Sequence, residues 1–329
     1  MLAFPTAYSE PIETLSAAEF VKLAWSPFAQ EELTGRGPIV LVDTNDIVAD
    51  DAVLDTLRTL PVVLAGRQPS PVVDVLLDDE TMPAVTATVE QWPLASISLA
   101  LLLRAADGRS VADGLVAESA VYSLLQAGPE FARWREAHPT RTARPDAQPA
   151  VRVERDGDVL FVTLSRPRLH NAFSAAMREE LLAALAVAQA DPAIEKIVLA
   201  GEGPSFCSGG DLDEFGTRPD PASAHLIRLT RNAGRVMHAL RDRIEVRLHG
   251  ACMGAGIELP AFADRVVAAQ DTVISLPEVT LGLVPGAGGT VSIARRVGRH
   301  RACLLGLSGQ PIDAPTARSW GLVDAVEDA

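Results

Sequence analysis

GEGPSFCSGGD (Gly201–Asp211), HGACMGAGIEL (His249–Leu259) and LPEVTLGLVPGAGGT (Leu276–Thr290) are the three stretches on which the reading of this 329-residue chain turns. Each is dense in glycine and small residues. Gly254-Ala255-Gly256 lacks the full G-x-G-x-x-G of a dinucleotide site, and PGAGGT lacks the Lys-Ser/Thr pair of a P-loop, so neither nucleotide class is supported. Any one of them alone reads as a tight turn. Together they suggest more, because a small-residue turn that enters a helix lets a ligand approach backbone N–H groups closely. Two such turns could aim two N–H groups, those of Gly210 and Ala255, at one developing oxyanion.

Two glutamates accompany these turns. Glu258 lies three residues after Ala255, in the first turn of the expected helix, and Glu278 precedes the PGAGG turn. Taken singly, each reads as a surface residue. Both have apolar neighbours, however: Ile257 and Leu259 beside one, Leu276, Pro277 and Val279 beside the other. A glutamate in apolar surroundings has a raised pKa and can exchange protons near neutral pH, and a pair can divide acid and base roles. Asp211 reads as a turn or cap residue. Cys207 and Cys252 have no evident base beside them and read as small hydrophobes. His170 and His249 lack metal-ligand spacing.

Outward from the turns, the C-terminal part reads as α/β. Val151–Arg155 and Val159–Leu164 form a hairpin about Asp156-Gly157-Asp158. Ser174 caps a helix reaching Ala190. Ile194–Ala200 and Glu245–Leu248 are strands, and Ala222–Leu240 has helical periodicity. The stretch EAHPTRTARPDAQPA (residues 136–150) reads as a linker. It divides an N-terminal block (1–135) from a C-terminal core (151–329). In the N-terminal block, strands at Ile39–Val42 and Pro61–Leu64 flank a helix at Asp51–Leu60, and Val85–Trp134 is helical and rich in Ala and Leu.

Composition bounds the function. There are 29 Lys and Arg against 43 Asp and Glu, a net charge of −14, which lacks the electrostatics of a nucleic-acid binder. Hydrophobic residues at 48% and charged residues at 22% argue against wholesale disorder. Only Lys22 and Lys196 are lysines, which leaves little room for lysine-based covalent chemistry. Three scattered cysteines (207, 252, 303) make neither a zinc cluster nor a disulfide framework and suit a reducing compartment. Met1–Glu10 has no basic leader region, and the longest apolar run, Pro93–Leu103, is too short to cross a bilayer. The expectation is a soluble, cytoplasmic protein with no membrane or nucleic-acid partner.

Four ordered motifs, RPRLHNAF (Arg166–Phe173), GEGPSFCSGGDLDEF (Gly201–Phe215), HGACMGAGIELPAFAD (His249–Asp264) and LPEVTLGLVPGAGGT, resemble the crotonase superfamily, the enoyl-CoA hydratase/isomerase fold, over residues 151–324. The resemblance implies an α/β fold with a ββα spiral core, here with an additional helical region. It implies a coenzyme A thioester substrate, no permanently bound cofactor or metal, and homotrimers or hexamers. It places the thioester oxygen between the N–H groups of Gly210 and Ala255, the reacting water on Glu258 and Glu278, and the Gly286 N–H against that water. It also puts Ser208, Gly210 and Leu212 at the adenine pocket and Arg168 near the CoA phosphates. Having both glutamates favours a hydratase. An isomerase, a thioester hydrolase, an enzyme of aromatic acyl-CoA metabolism, and a non-catalytic partner subunit are the alternatives.

The chain departs from that pattern at its end. Family members continue past the Gly-Leu-Val-Asp segment (Gly321–Asp324) for several dozen helical residues, whereas this sequence ends at Ala329. The stretch from Pro93 to Pro139, with its G-L-x-x-E-S step, resembles that missing tail. The strand–helix–strand region around Ile39–Gly66 resembles a shortened copy of the core. Two organisations follow: a rearranged crotonase whose tail helices precede its core, or an unrelated helical N-terminal domain.

Overall fold

The protein is described here from a computed structural model, which covers residues 14–45, 47, 50–141, 148–217 and 220–328. Residues 142–147 of the expected linker, and the N-terminal segment Met1–Glu10, lie outside the described residues.

The chain begins with β1 (Thr14–Leu15), α1 (Ala17–Ala24), α2 (Ala29–Thr34), β2 (Ile39–Val42), α3 (Asp51–Arg58), β3 (Val63–Gly66) and β4 (Val75–Leu76). The strands make one parallel sheet in the order β1-β2-β3-β4. β2 and β3 read as unbroken apolar runs because both faces of the sheet are covered. Strand alternation divides them between two cores. Val40, Val42 and Leu64 pack with Phe20, Leu33 and Leu57 beneath α1–α3. Ile39, Leu41, Val63 and Ala65 face the main core. The expected Pro61–Leu64 strand begins at Val63. α3 starts where Asp50 accepts the N–H of Val53.

Four helices follow: α4 (Met82–Gln91), α5 (Pro93–Arg104), α6 (Val111–Gln126) and α7 (Pro129–Ala137). Pro93 ends α4 and starts α5, since a proline N–H is not needed in a first turn. The buried Glu130 carboxylate accepts the N–H groups of Leu94 and Ala95, capping α5 from α7. These helices share the main hydrophobic core with the C-terminal part: Leu99, Leu103, Leu115, Tyr122 and Trp134 belong to the same cluster as Leu160, Ile257 and Leu305.

The C-terminal part opens with the antiparallel hairpin β5 (Val151–Asp156) and β6 (Val159–Leu164), with Gly157 in its turn at φ +58°. α8 (Ala175–Ala190) is capped by Ser174, and β7 (Lys196–Gly201) follows. α9 (Pro221–Thr230) and α10 (Ala233–Ala239) replace the single expected helix over 222–240. Asn232 breaks it by capping the Arg235 N–H, a local side-chain bond that competes with helix continuation. Next come β8 (Ile244–Leu248), β9 (Ala251–Met253), α11 (Ala255–Glu258), β10 (Arg265–Ala269) and β11 (Val273–Ser275). α12 (Gly289–Val297), α13 (Arg299–Ser308), β12 (Ile312–Asp313), α14 (Ala314–Trp320) and β13 (Ala325–Glu327) complete the chain.

These strands form a six-stranded sheet, β13-β10-β8-β7-β6-β5, and a three-stranded sheet, β12-β11-β9. The chain steps from the large sheet to the small one and then into a helix or turn, first as β8-β9-α11 and again as β10-β11. This is the ββα spiral. Its effect is to stack the three glycine-rich stretches. Cys207 donates to the Ala251 carbonyl, Met253 to the Cys207 carbonyl, and Gly254 to the Ser275 carbonyl.

Candidate active site

The first turn is held by the RPRLHNAF segment. His170 and Asn171 both adopt left-handed backbone (φ +49° and +53°), a conformation Asn and His tolerate better than most residues. Fully buried Asn171 accepts the Arg166 N–H (2.7 Å) and donates to the carbonyls of Glu202 and Ser205 (both 2.9 Å). Phe173 donates to the Gly209 carbonyl (2.7 Å) and accepts the Asp211 N–H (3.1 Å). In a parallel bridge of this kind the N–H of the intervening residue, Gly210, points away from Phe173. Asp211 pairs with Arg166 at 3.0 Å and caps the Asp213 N–H, the turn role expected of it.

The second turn depends on Gly254, whose φ of +46° and ψ of −119° suit glycine alone. A methyl group there would lie 2.2 Å from Glu278 Oε1 and 3.8 Å from Glu258 Oε1, so both carboxylates flank one small space. Ala255 is the first residue of α11, where backbone N–H groups have no partner inside the helix. Among the described residues, the N–H groups of Gly210 and Ala255 meet no acceptor within the protein.

Glu258 and Glu278 are 2% and 8% exposed and line a cavity of about 340 Å³ with Gly210, Ala255 and Gly286. That volume is in the range of small-molecule sites. Glu258 Oε2 accepts the N–H groups of Ala287 (2.7 Å) and Gly289 (2.8 Å). Burial raises its pKa to about 7, and the N–H groups of residues 286–289 oppose that rise. Burial, then the charge of Glu258, pushes Glu278 well above the ordinary carboxylate range. Glu278 Oε2 is buried and has no hydrogen-bond partner within the protein.

A third carboxylate, Glu118 of α6, lines the same cavity and was not singled out as a site residue from the sequence. It is 2% exposed. It accepts the N–H of Gly288 (2.7 Å) and both the N–H (2.9 Å) and hydroxyl (2.7 Å) of Thr290. Successive N–H groups of the PGAGGT turn therefore alternate: 287 and 289 to Glu258, 288 and 290 to Glu118. Burial first, and the Glu258 charge second, raise Glu118 to about 8. Tyr122, one turn further along α6, has its ring against Gly286, where a methyl would lie 2.5 Å from it. The G-L-x-x-E-S step at Gly114–Ser119 was the available signal for this wall of the cavity.

Arg168, Ser208 and Leu212 do not line the cavity; all three are exposed. The Leu212 carbonyl accepts Arg135 Nη2 from α7 (2.9 Å), which ties the 212 turn to the tail-like helices. Cys207, Cys252 and Cys303 are buried free thiols, and burial pushes Cys207 up to about 12, so none is a poised nucleophile. Among the described residues there is no cluster of three or more His, Cys, Asp or Glu suited to a metal ion, and no helix long and apolar enough to cross a membrane.

A ββα spiral with two backbone N–H groups and buried carboxylates around one cavity defines a class of fold and site, and comparison with known proteins gives it a family. The family model described as enoyl-CoA hydratase/isomerase matches residues 154–328. The 2,3-dehydroadipyl-CoA hydratase of Escherichia coli (strain K12) is 36% identical over 174 residues, covering 53% of this chain and 68% of that protein. A probable enoyl-CoA hydratase of Rhizobium meliloti (strain 1021) is also 36% identical over 174 residues, covering 53% of this chain and 67% of that protein. The crystal structure of enoyl-CoA hydratase from Thermoplasma volcanium GSS1 superposes with a TM-score of 0.52 at 36% identity, over 55% of this chain and 73% of that one. The chain belongs to the enoyl-CoA hydratase/isomerase family and is an enzyme of that family.

Proposed function

We propose that the protein hydrates a 2-enoyl-CoA thioester, or runs the reverse dehydration. The observation that carries this reading is the pairing of two buried glutamates in one cavity, one of them with an unpartnered oxygen. Glu258 is the base: its pKa near 7 leaves a substantial ionised fraction at neutral pH. Glu278 is the acid: burial, then the charge of Glu258, favours its protonated form. Glu258 takes a proton from water as the water oxygen bonds to C3, and Glu278 delivers its proton to C2. The electron pair of the double bond passes transiently to the thioester oxygen as an enolate, where the Gly210 and Ala255 N–H groups stabilise it. A proton passing from Glu258 to Glu278 restores the starting state.

The test is product analysis after incubation with crotonyl-CoA in water labelled with ¹⁸O and deuterium. The proposal requires 3-hydroxybutyryl-CoA with ¹⁸O on C3 and deuterium on C2. Conversion of a 3-enoyl-CoA to its 2-isomer, with no label on C3 and no hydration of crotonyl-CoA, would assign an isomerase instead.

The same proposal includes CoA as part of the substrate, with Arg168, Ser208 and Leu212 at its nucleotide end, the Gly286 N–H against the water, assembly into homotrimers or hexamers, and a cytoplasmic setting. It also includes the rearranged organisation, in which α5–α7 serve as the family's tail ahead of the core. What supports the last point is that Glu118, Tyr122 and Arg135 reach from these helices to the cavity and its rim.

A further inference from the structure

Arg228 of α9 lines the cavity and is partly buried, yet every contact it makes is neutral. Its Nε donates to Ser119 Oγ (3.2 Å), and its Nη2 donates to the Ser119 carbonyl (3.5 Å) and to Ser123 Oγ. Its guanidinium carbon lies 4.7 Å from the centre of the Tyr122 ring. Among the described residues no carboxylate comes within ion-pair distance of it, and its Nη1 has no acceptor. The other charges lining the cavity are differently placed: Glu118 and Glu258 are held by the N–H groups of residues 287–290, and Glu278 stands beside Gly254. Arg178 and Arg231 both pair with Glu179, Asp211 pairs with Arg166, and Glu214 accepts the Ala175 N–H. The charge of Glu118 acts on Arg228 only from beyond ion-pair distance. A partly desolvated guanidinium with no ion pair is costly, and it is the donor best shaped to grip a carboxylate in two places.

The Tyr122 ring fixes where this charge stands. One part of the ring abuts Gly286, beside the glutamates, and Arg228 lies over its face. The guanidinium is therefore one aromatic side chain away from the reacting end of the cavity, where the far end of a short acyl group would reach.

We propose that Arg228 determines specificity by binding a carboxylate at the distal end of the acyl group, so that the preferred substrates are CoA monothioesters of 2-enedioic acids. The inference rests on the hydratase reading above. A binding measurement separates the two. For the wild-type protein, calorimetry should give at least about tenfold tighter binding to the saturated monothioester of hexanedioic acid with CoA than to hexanoyl-CoA. Equal affinities overturn the inference whether or not any thioester is hydrated. Where hydration is observed, kcat/KM for 2-enedioyl thioesters of four to eight carbons should exceed that of length-matched 2-enoyl-CoA, chiefly through KM. That ratio should fall about tenfold or more in Arg228→Met and partly recover in Arg228→Lys. A residue that only joins α9 to α6 would change stability and leave the ratio intact. An unchanged ratio in a folded Arg228→Met protein contradicts the assignment.

Discussion

Replacing Glu118 by alanine should cost both stability and rate, and the size of each effect follows from its hydrogen bonds. Three donors converge on this carboxylate: the N–H groups of Gly288 and Thr290 and the Thr290 hydroxyl. Removing the acceptor leaves them buried and unmatched, at roughly 1–3 kcal/mol each. Water entering the vacated space recovers part of that, so a net loss of about 3 kcal/mol is expected. This is a large share of the ~5–15 kcal/mol stability of a typical domain. The rate should also fall. The N–H groups of residues 287 and 289 that hold Glu258 alternate along the same turn with those that Glu118 holds. A ~1 Å shift of such a turn can lower kcat by ~100-fold. Urea unfolding and steady-state hydration kinetics on the same preparations provide the assay. Glu118→Gln should be intermediate, because its amide oxygen can accept two of the bonds while its NH₂ opposes a third donor. A Glu118→Ala protein within ~0.5 kcal/mol of wild type, with unchanged kcat, would refute the reasoning.

The acid limb of the kcat/KM profile should fall near pH 7 rather than near the ordinary glutamate value of 4.5, because burial raises Glu258 to about 7 and the base must be ionised. A limb near 4.5 contradicts that role. Stability should show the linked effect: Glu118 and Glu258 hold protons more tightly folded than unfolded, so their contribution is fully present below about pH 4.5 and declines as pH rises through about 7 and 8. Denaturation of Glu118→Gln across that range, with a flatter dependence than wild type, checks it. Asp74→Ala should destabilise by about 3–5 kcal/mol in urea unfolding, because it leaves Arg104 buried and unpaired. Asp74 is 1% exposed at its side chain and takes two bonds from Arg104, which also clasps the Leu57, Leu60 and Val62 carbonyls. Deleting residues 1–145 should give an aggregating, inactive fragment, since it strips α4–α7 from a shared core. A soluble, oligomeric and active fragment would defeat the rearranged organisation.

The spiral was legible because its requirements are local. Gly254 must be glycine where its φ is positive and the Glu278 carboxylate occupies the space a Cβ would need, and Ser174 and the Gly157 turn mark boundaries within a few residues. The gathering of Glu258, Glu278, Gly210, Ala255 and Gly286 around one cavity is what the resemblance carried by the four ordered motifs implied. The break at Asn232 was hidden because the apolar periodicity of α9 continues past it into α10. Glu118 and Arg228 escaped for a different reason. Their meaning lies in contacts across more than 100 residues of sequence, Glu118 to Thr290 and Arg228 to Ser119; the G-L-x-x-E-S step that holds Glu118 marked only a likeness to the family's tail, and Arg228 sits in no such pattern.

The division of labour between Glu258 and Glu278 is the central claim, and hydration of crotonyl-CoA by wild type, Glu258→Gln and Glu278→Gln tests it most directly. The assay follows loss of absorbance from the conjugated thioester, with thioester affinity measured in parallel. The account predicts that both variants still bind CoA thioesters and that each loses at least ~100-fold in kcat. Either variant hydrating at the wild-type rate would contradict it.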